Sequence, residues 1–97
     1  MPYLKWTSQA VADLEDIAYH IAFEDRRPIT ARIVDELHQA CELYATQPQM
    51  GTAVPELAEN LRTFTHKRWV VIYQPIEDGI RVRAVIDAAR DYRNWRP

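Results

Sequence analysis

The sequence predicts an α+β fold of order β-α-α-β-β-β, with a helical hairpin packed on a small twisted, mainly antiparallel sheet. Three observations carry this expectation. In the first half, apolar residues recur at helical spacing in two stretches, Val11, Leu14, Ile17, Ala18 and Ile21, then Ile29, Ile33, Leu37, Ala40, Cys41 and Tyr44. From Leu61 onward the chain is rich in β-branched and aromatic residues in short runs. Between them, Pro48, Gly51 and Pro55 punctuate a stretch without a period. A length of 97 residues fits one domain, residues 1–97, with no internal repeat and no linker. A chain this short buries about 60–65% of its unfolded surface, which is enough for a small core.

The elements follow in order. Tyr3-Leu4-Lys5-Trp6 is short and aromatic, and reads as a strand. Thr7 or Ser8 can cap the helix that follows by accepting a hydrogen bond from a free backbone N–H, so the first helix is expected from about Ser8 to Glu24. Asp25-Arg26-Arg27-Pro28 breaks it, and Pro28 suits the first turn of a second helix ending near Ala45–Gln47. The short connection makes the two helices an antiparallel hairpin. Gln47–Asn60 reads as a loop. Leu61–His66 and Trp69–Tyr73 read as strands, with Pro75 at a strand end or edge. Glu77-Asp78-Gly79 marks a turn. Ile80, Val82, Ala84 and Ile86 then alternate with Arg81, Arg83, Val85 and Asp87, giving a half-buried strand whose other face is basic. The tail from Ala89 to Pro97 adds a helical turn containing Tyr92 and Trp95.

Composition excludes several classes. One cysteine, Cys41, makes no internal disulfide, which points to a reducing compartment. No apolar run reaches the roughly 18–20 residues of a membrane span. The N-terminus lacks a signal peptide's apolar segment, so the cytoplasm is the expected location. Net charge is −2, but the average hides a division. Residues 1–60 hold four basic and ten acidic side chains, whereas residues 61–97 hold eight basic and four acidic ones. Such asymmetry suggests a surface for an anionic partner.

Arg62, Arg83 and Arg90, with the His66-Lys67-Arg68 turn and Arg93, are the candidates for that surface, because guanidinium groups grip phosphate or carboxylate bidentately. The plainer reading pairs them with Glu77, Asp87 and Asp91 as solvated sheet residues. Tyr73 and Tyr92 have the chemistry to stack on a base or donate a proton, although a strand tyrosine is more often core. His66 is the histidine placed for acid–base work; His20 and His38 show no ligand spacing, so no metal and no cofactor are expected. Cys41 falls on the apolar helix face and reads as core, while Asp13 and Glu15 read as a solvated face. Phosphate loops, nucleophile elbows and zinc motifs are absent from the sequence.

Several segments together resemble a known family. Ala10-Val11-Ala12-Asp13-Leu14-Glu15-Asp16-Ile17 through Ile21 resembles an A-x-x-D-L-x-x-I first helix, and Leu43, Pro48 and Gly51 resemble its helix exit, a Leu followed by P-x-x-G. Leu61-Arg62-Thr63-Phe64 resembles L-R-x-F, Val71-Ile72-Tyr73 resembles V-I-Y, and Ile80–Ile86 followed by Ala89-Arg90-Asp91 resembles the closing strand and A-R-D. In this order and spacing the chain resembles the ParE branch of the ParE/RelE toxin superfamily. Asp87 stands where that pattern often has His, and Ala88 where it often has Gly.

The resemblance implies the toxin of a type II toxin–antitoxin pair, associated with growth arrest and plasmid stabilisation. ParE-like members act on DNA gyrase by protein contact, neutralised by a ParD-like antitoxin with a ribbon-helix-helix DNA-binding part and a flexible C-terminal segment. RelE-like relatives cut mRNA on the ribosome. On that alternative the working set here is Arg62, His66, Arg83 and Tyr92. The tail after Ala89 has no histidine, which favours the gyrase-directed branch, and a third alternative is a non-toxic member that only binds its antitoxin. Arginine is a poor general base and serves to stabilise phosphate charge instead. A basic half would attract an acidic segment that folds on binding, with Phe23, Ile29, Val34 and Leu43 of the hairpin as apolar candidates. Asp87, beside Arg90, is expected either to weaken anion binding or to orient Arg90 in a salt bridge.

Overall fold

The computed structural model describes the chain over residues 2–23 and 27–97, and side chains over 2–19 and 32–97. In chain order the elements are β1 (Tyr3–Trp6), α1 (Ser8–Phe23), α2 (Arg27–Thr46), a 3-10 turn at Pro48–Met50, β2 (Thr52–Ala53), β3 (Arg62–His66), β4 (Trp69–Ile76), β5 (Gly79–Asp87) and a 3-10 turn at Tyr92–Asn94. The expected end of the first helix at Glu24 and the Asp25-Arg26 part of the break lie outside the described residues.

The strands form one mixed sheet of order β1-β5-β4-β3-β2. β1 runs parallel to β5, while β3, β4 and β5 form the expected antiparallel meander. Thr7 caps α1: its Oγ1 accepts from Ala10 N at 3.2 Å and donates to Arg83 O at 3.2 Å, so one hydroxyl ties the helix start to the sheet. The two hairpin turns are two residues long, Lys67-Arg68 between His66 and Trp69, and Glu77-Asp78 between Ile76 and Gly79. Lys67 (φ 54°) and Asp78 (φ 61°) occupy the left-handed region that such turns require.

Three departures from the expected pattern matter for the site. The segment read as a loop contributes β2, paired with β3 through Thr52 and Ala53. β4 runs through Pro75 to Ile76 rather than ending at Tyr73. β3 stops pairing at Tyr73, so Pro75 has a strand neighbour on one side only and its missing N–H costs no ladder bond. Finally, Ile72 faces Ala84 and Tyr73 faces Val82, which leaves Arg83 as the extra residue of a β-bulge. The uniform alternation expected along β5 therefore fails. Ile80, Val82 and Val85 join the core under the helices, whereas Ala84 joins a second cluster on the opposite face.

That helix-side core unites Ala10 and Ile17 of α1 with Leu37, Cys41 and Ala45 of α2 and with Phe64, Val71, Tyr73 and Val82 of the sheet. Tyr44 stacks on Phe64 with centroids 4.0 Å apart. Burial pushes the Cys41 thiol up to about 12, so it stays protonated. The outer face is not open, as expected from the sequence, but covered. Val54, Leu57 and Leu61 fold over Ile72 and Ala84, and Tyr92 and Trp95 of the tail pack against them. No helix among the described residues is long and apolar enough to cross a membrane.

Candidate functional site

Strand alternation sets where the basic residues go. Arg62 and His66 share the Phe64 side of β3, under the helices. Arg62 Nη1 donates to Gly51 O at 2.6 Å and Gln49 O at 3.2 Å, so its guanidinium is engaged by the chain itself. Beside it, Tyr73 is fully buried. Its hydroxyl donates to Pro48 O at 2.8 Å and accepts from Gly51 N at 2.9 Å. Burial raises the Tyr73 pKa, and the Gly51 N–H and the Arg62 charge oppose that rise. A Cβ at Gly51 would collide with the Tyr73 hydroxyl, which explains glycine at the helix exit. Tyr73, expected among the contact residues, thus reaches no partner surface in this structure. It locks the Pro48–Gly51 turn to the sheet.

His66 and Lys67 turn toward α2. Lys67 Nζ lies 2.7 Å from Glu36 Oε1, and His66 Nε2 lies 3.5 Å from the same oxygen. The Lys67 hydrogen bond, with a smaller contribution from His66, holds the Glu36 carboxyl below its usual pKa. The basic turn is therefore matched by an acid of the helical layer.

Asp87 organises the other end. Its Oδ2 accepts from Arg68 Nη2 at 2.6 Å and its Oδ1 from Ala89 N at 2.9 Å, while its carbonyl accepts from Arg90 N at 2.9 Å. The Ala89 N–H first, then Arg68, hold this carboxyl below the ordinary value. The expected salt bridge from Asp87 to Arg90 is not formed: the ion pair goes to Arg68, and the other carboxylate oxygen goes to the tail backbone. Arg68 also lies 4.9 Å over the Trp69 ring. Arg83 follows the inward-facing Val82 and so lies on the outer face, where its guanidinium sits 5.8 Å over Trp95. Arg93 pairs with Asp91 at 3.0 Å. Arg90 is exposed, and no hydrogen bond or ion pair holds its guanidinium among the described residues.

The expected single basic face is thus divided. Arg62 and His66 lie on the helix side, Lys67 and Arg68 at the hairpin tip, and Arg83, Arg90, Tyr92 and Arg93 on the outer face and tail. One residue read as solvated proves structural. β1 covers β5 only as far as Val82, so the Val85 N–H has no strand neighbour there. Asp13 Oδ2 accepts from it at 2.9 Å, and Asp13 Oδ1 accepts from Gln9 Nε2 at 2.8 Å. The signal was in the spacing: Asp13 lies between Ala10 and Ile17, both buried, on the packed stripe of α1. An open cleft of about 580 Å³ lies where α1, the end of β5 and the tail meet. Among the described residues, no group of three His, Cys, Asp or Glu side chains could hold a metal ion.

Comparison with known proteins places these features. Residues 4–92 match the family described as the ParE toxin of the type II toxin–antitoxin system parDE. A solved structure described as the chromosomal ParDE TA system from P. aeruginosa has the same fold, with a TM-score of 0.75 at 20% identity, covering 90% of this chain and 96% of that one. No curated protein matches the chain. A two-helix layer on a mixed five-stranded sheet, with the family pattern running through nearly its whole length, defines a toxin of the toxin–antitoxin class. The chain belongs to the ParE toxin family.

Proposed function

We propose that this protein arrests growth by contacting DNA gyrase and is neutralised by a ParD-like antitoxin. The observation that carries the choice of target is the division of the nuclease candidates. Cleavage of RNA needs a base near the 2′-hydroxyl and an acid near the leaving oxygen, converging on one phosphate. Arg62 is bound to two backbone carbonyls and His66 faces Glu36 on the helix side, while Arg83 faces Trp95 on the other side. The tail and outer face, with Arg83, Arg90 and Arg93, are the surface offered to the target. The antitoxin is assigned to the helical hairpin, where Val11, Tyr19 and Leu43 are exposed. Of the apolar residues expected there, Val34 is half-buried, and the side chains of Phe23 and Ile29 lie outside the described residues.

The test is a supercoiling and cleavage-complex assay with purified protein and gyrase, with toeprinting on translating ribosomes alongside. Inhibition of gyrase is expected, lost in a folded Arg83→Glu, Arg90→Glu double variant and reversed by the antitoxin. Unchanged gyrase together with codon-phased mRNA cuts would transfer the protein to the nuclease class. Normal growth on expression, with antitoxin binding retained, would make it a non-toxic member.

A further inference from the structure

The basic residues of the sheet and tail differ in what already holds them. Arg62, Lys67, Arg68, Arg81, Arg93 and Arg96 each donate a hydrogen bond to another group of the chain. Arg83 lies over the Trp95 ring. Of the eight cations in residues 61–97, Arg90 alone has no side-chain hydrogen bond, ion pair or ring contact among the described residues. Asp16 lines the same cleft as Arg90, yet no ion pair joins them. An exposed guanidinium whose donors the chain leaves uncommitted has its whole fork available to an incoming carboxylate.

The backbone beneath that free side chain is fixed. Three amides lie between the end of β5 and Arg90, and two residues bind them all. Ala88 N donates to Arg68 O at 2.7 Å, Ala89 N to Asp87 Oδ1 at 2.9 Å, and Arg90 N to Asp87 O at 2.9 Å. The ion pair between Arg68 Nη2 and Asp87 Oδ2, at 2.6 Å, joins the two holders. Immediately beyond, Asp91 Oδ1 accepts from Arg93 N and Asp91 O from Asn94 N, each at 3.0 Å. Arg90 therefore stands between two anchored points.

We propose that Arg90 is the anchoring cation of the target surface, gripping a carboxylate of the protein target, and that Asp87 and Arg68 are the residues that position it. This deepens, and rests on, the reading that the outer face and tail meet the target. One free guanidinium suits one acidic side chain, whose two oxygens match the fork. A nucleic-acid backbone would need several phosphates neutralised together, and the other cations here are engaged. Fixing the backbone before contact removes an ordering cost from binding, so Asp87 and Arg68 act on affinity through Arg90.

The test reads inhibition of gyrase supercoiling over a concentration series and, at matched soluble levels, growth arrest on expression without antitoxin. Circular dichroism checks that each variant is folded. Arg90→Gln should raise the half-inhibiting concentration about thirtyfold. Arg93→Gln, whose guanidinium is committed to Asp91, should raise it less than about threefold. Asp87→Asn should raise it about fivefold in the wild-type background and not at all further in Arg90→Gln, because a positioning residue acts through the one it positions; a merely structural loss would add in both. Arg68→Gln breaks the pair from its other end and should repeat that pattern, which keeps the test decisive if Asp87→Asn does not fold. Full inhibition by Arg90→Gln, equal losses at Arg90 and Arg93, or additive losses in the double variants would each overturn the proposal. So would binding of the wild-type protein to a DNA or RNA oligonucleotide that Arg90→Gln abolishes. Growth arrest with gyrase unchanged would overturn the gyrase reading alone, and the growth series would then decide Arg90 by the same criteria. Neither effect from the wild-type protein would overturn both.

Discussion

The two faces of the sheet bury comparable kinds of side chain by different means. Under the helices, regular elements bring Leu37, Cys41, Val71 and Tyr73 to complete burial, and Tyr73 adds two hydrogen bonds to the 3-10 turn. On the outer face, Val54, Leu57 and Leu61 come from irregular chain, and Tyr92 and Trp95 remain half-buried. The inner layer specifies the fold. The outer layer is a cover held by a few contacts, and it carries the surface proposed for the target. Function is thus proposed for the side built from irregular chain, whose truncation is expected to cost the fold less.

Truncation at the centre of each layer should break or sharpen this contrast. Tyr73→Ala removes a fully buried ring and leaves Gly51 N–H and Pro48 O without their partner. It should cost about 3–5 kcal/mol in denaturant unfolding, close to the whole stability of a small domain. Trp95→Ala removes a half-buried ring and the Arg83 contact. It should cost only about 1–2 kcal/mol and leave the far-ultraviolet spectrum native. Equal losses from the two would show that the outer cover is as essential as the inner core.

The smallest effect concerns acid. Asp87 has its pKa lowered in the folded state, so its contribution is complete above the ordinary value of 3.8 and is lost as pH falls through the lower folded value. Tail fluorescence from Trp95 should therefore change below pH 3.8, before global unfolding, and the change should be absent in Asp87→Asn. A pH-independent signal down to global unfolding would show that Asp87 does not fasten the tail.

Much of the inner layer was legible in the sequence because each of its elements has its own period. Helical spacing gave α1 and α2, and β-branched runs with two-residue turns gave β3, β4 and β5. The outer layer was not legible, since no period announces it. Val54, Leu57 and Leu61 sit between turn residues, and only their apolar character in a nominal loop hints that something must cover them. The site was partly legible. Residue types identified the cations, but the placing of Arg83 opposite Arg62 depends on strand register, which pairs Arg62 with Tyr73 and Tyr73 with Val82. Asp13 was misread because its charge outweighed its place on the buried stripe.

The bulge at Arg83 has a consequence for how mutations along β5 will be tolerated. Up to Val82, even-numbered positions belong to the inner core; after the bulge, odd-numbered Val85 belongs to it and even-numbered Ala84 does not. A saturation scan of the strand would show its sensitivity to polar substitution changing parity at this residue. Deleting Arg83 would do more than remove a charge: Ala84 would follow Val82 in plain alternation, so the bulge would vanish while every later side chain kept its present side and its partner on β4. One inserted amino acid therefore acts as a phase marker, and lets a single strand be read in two frames by two different layers.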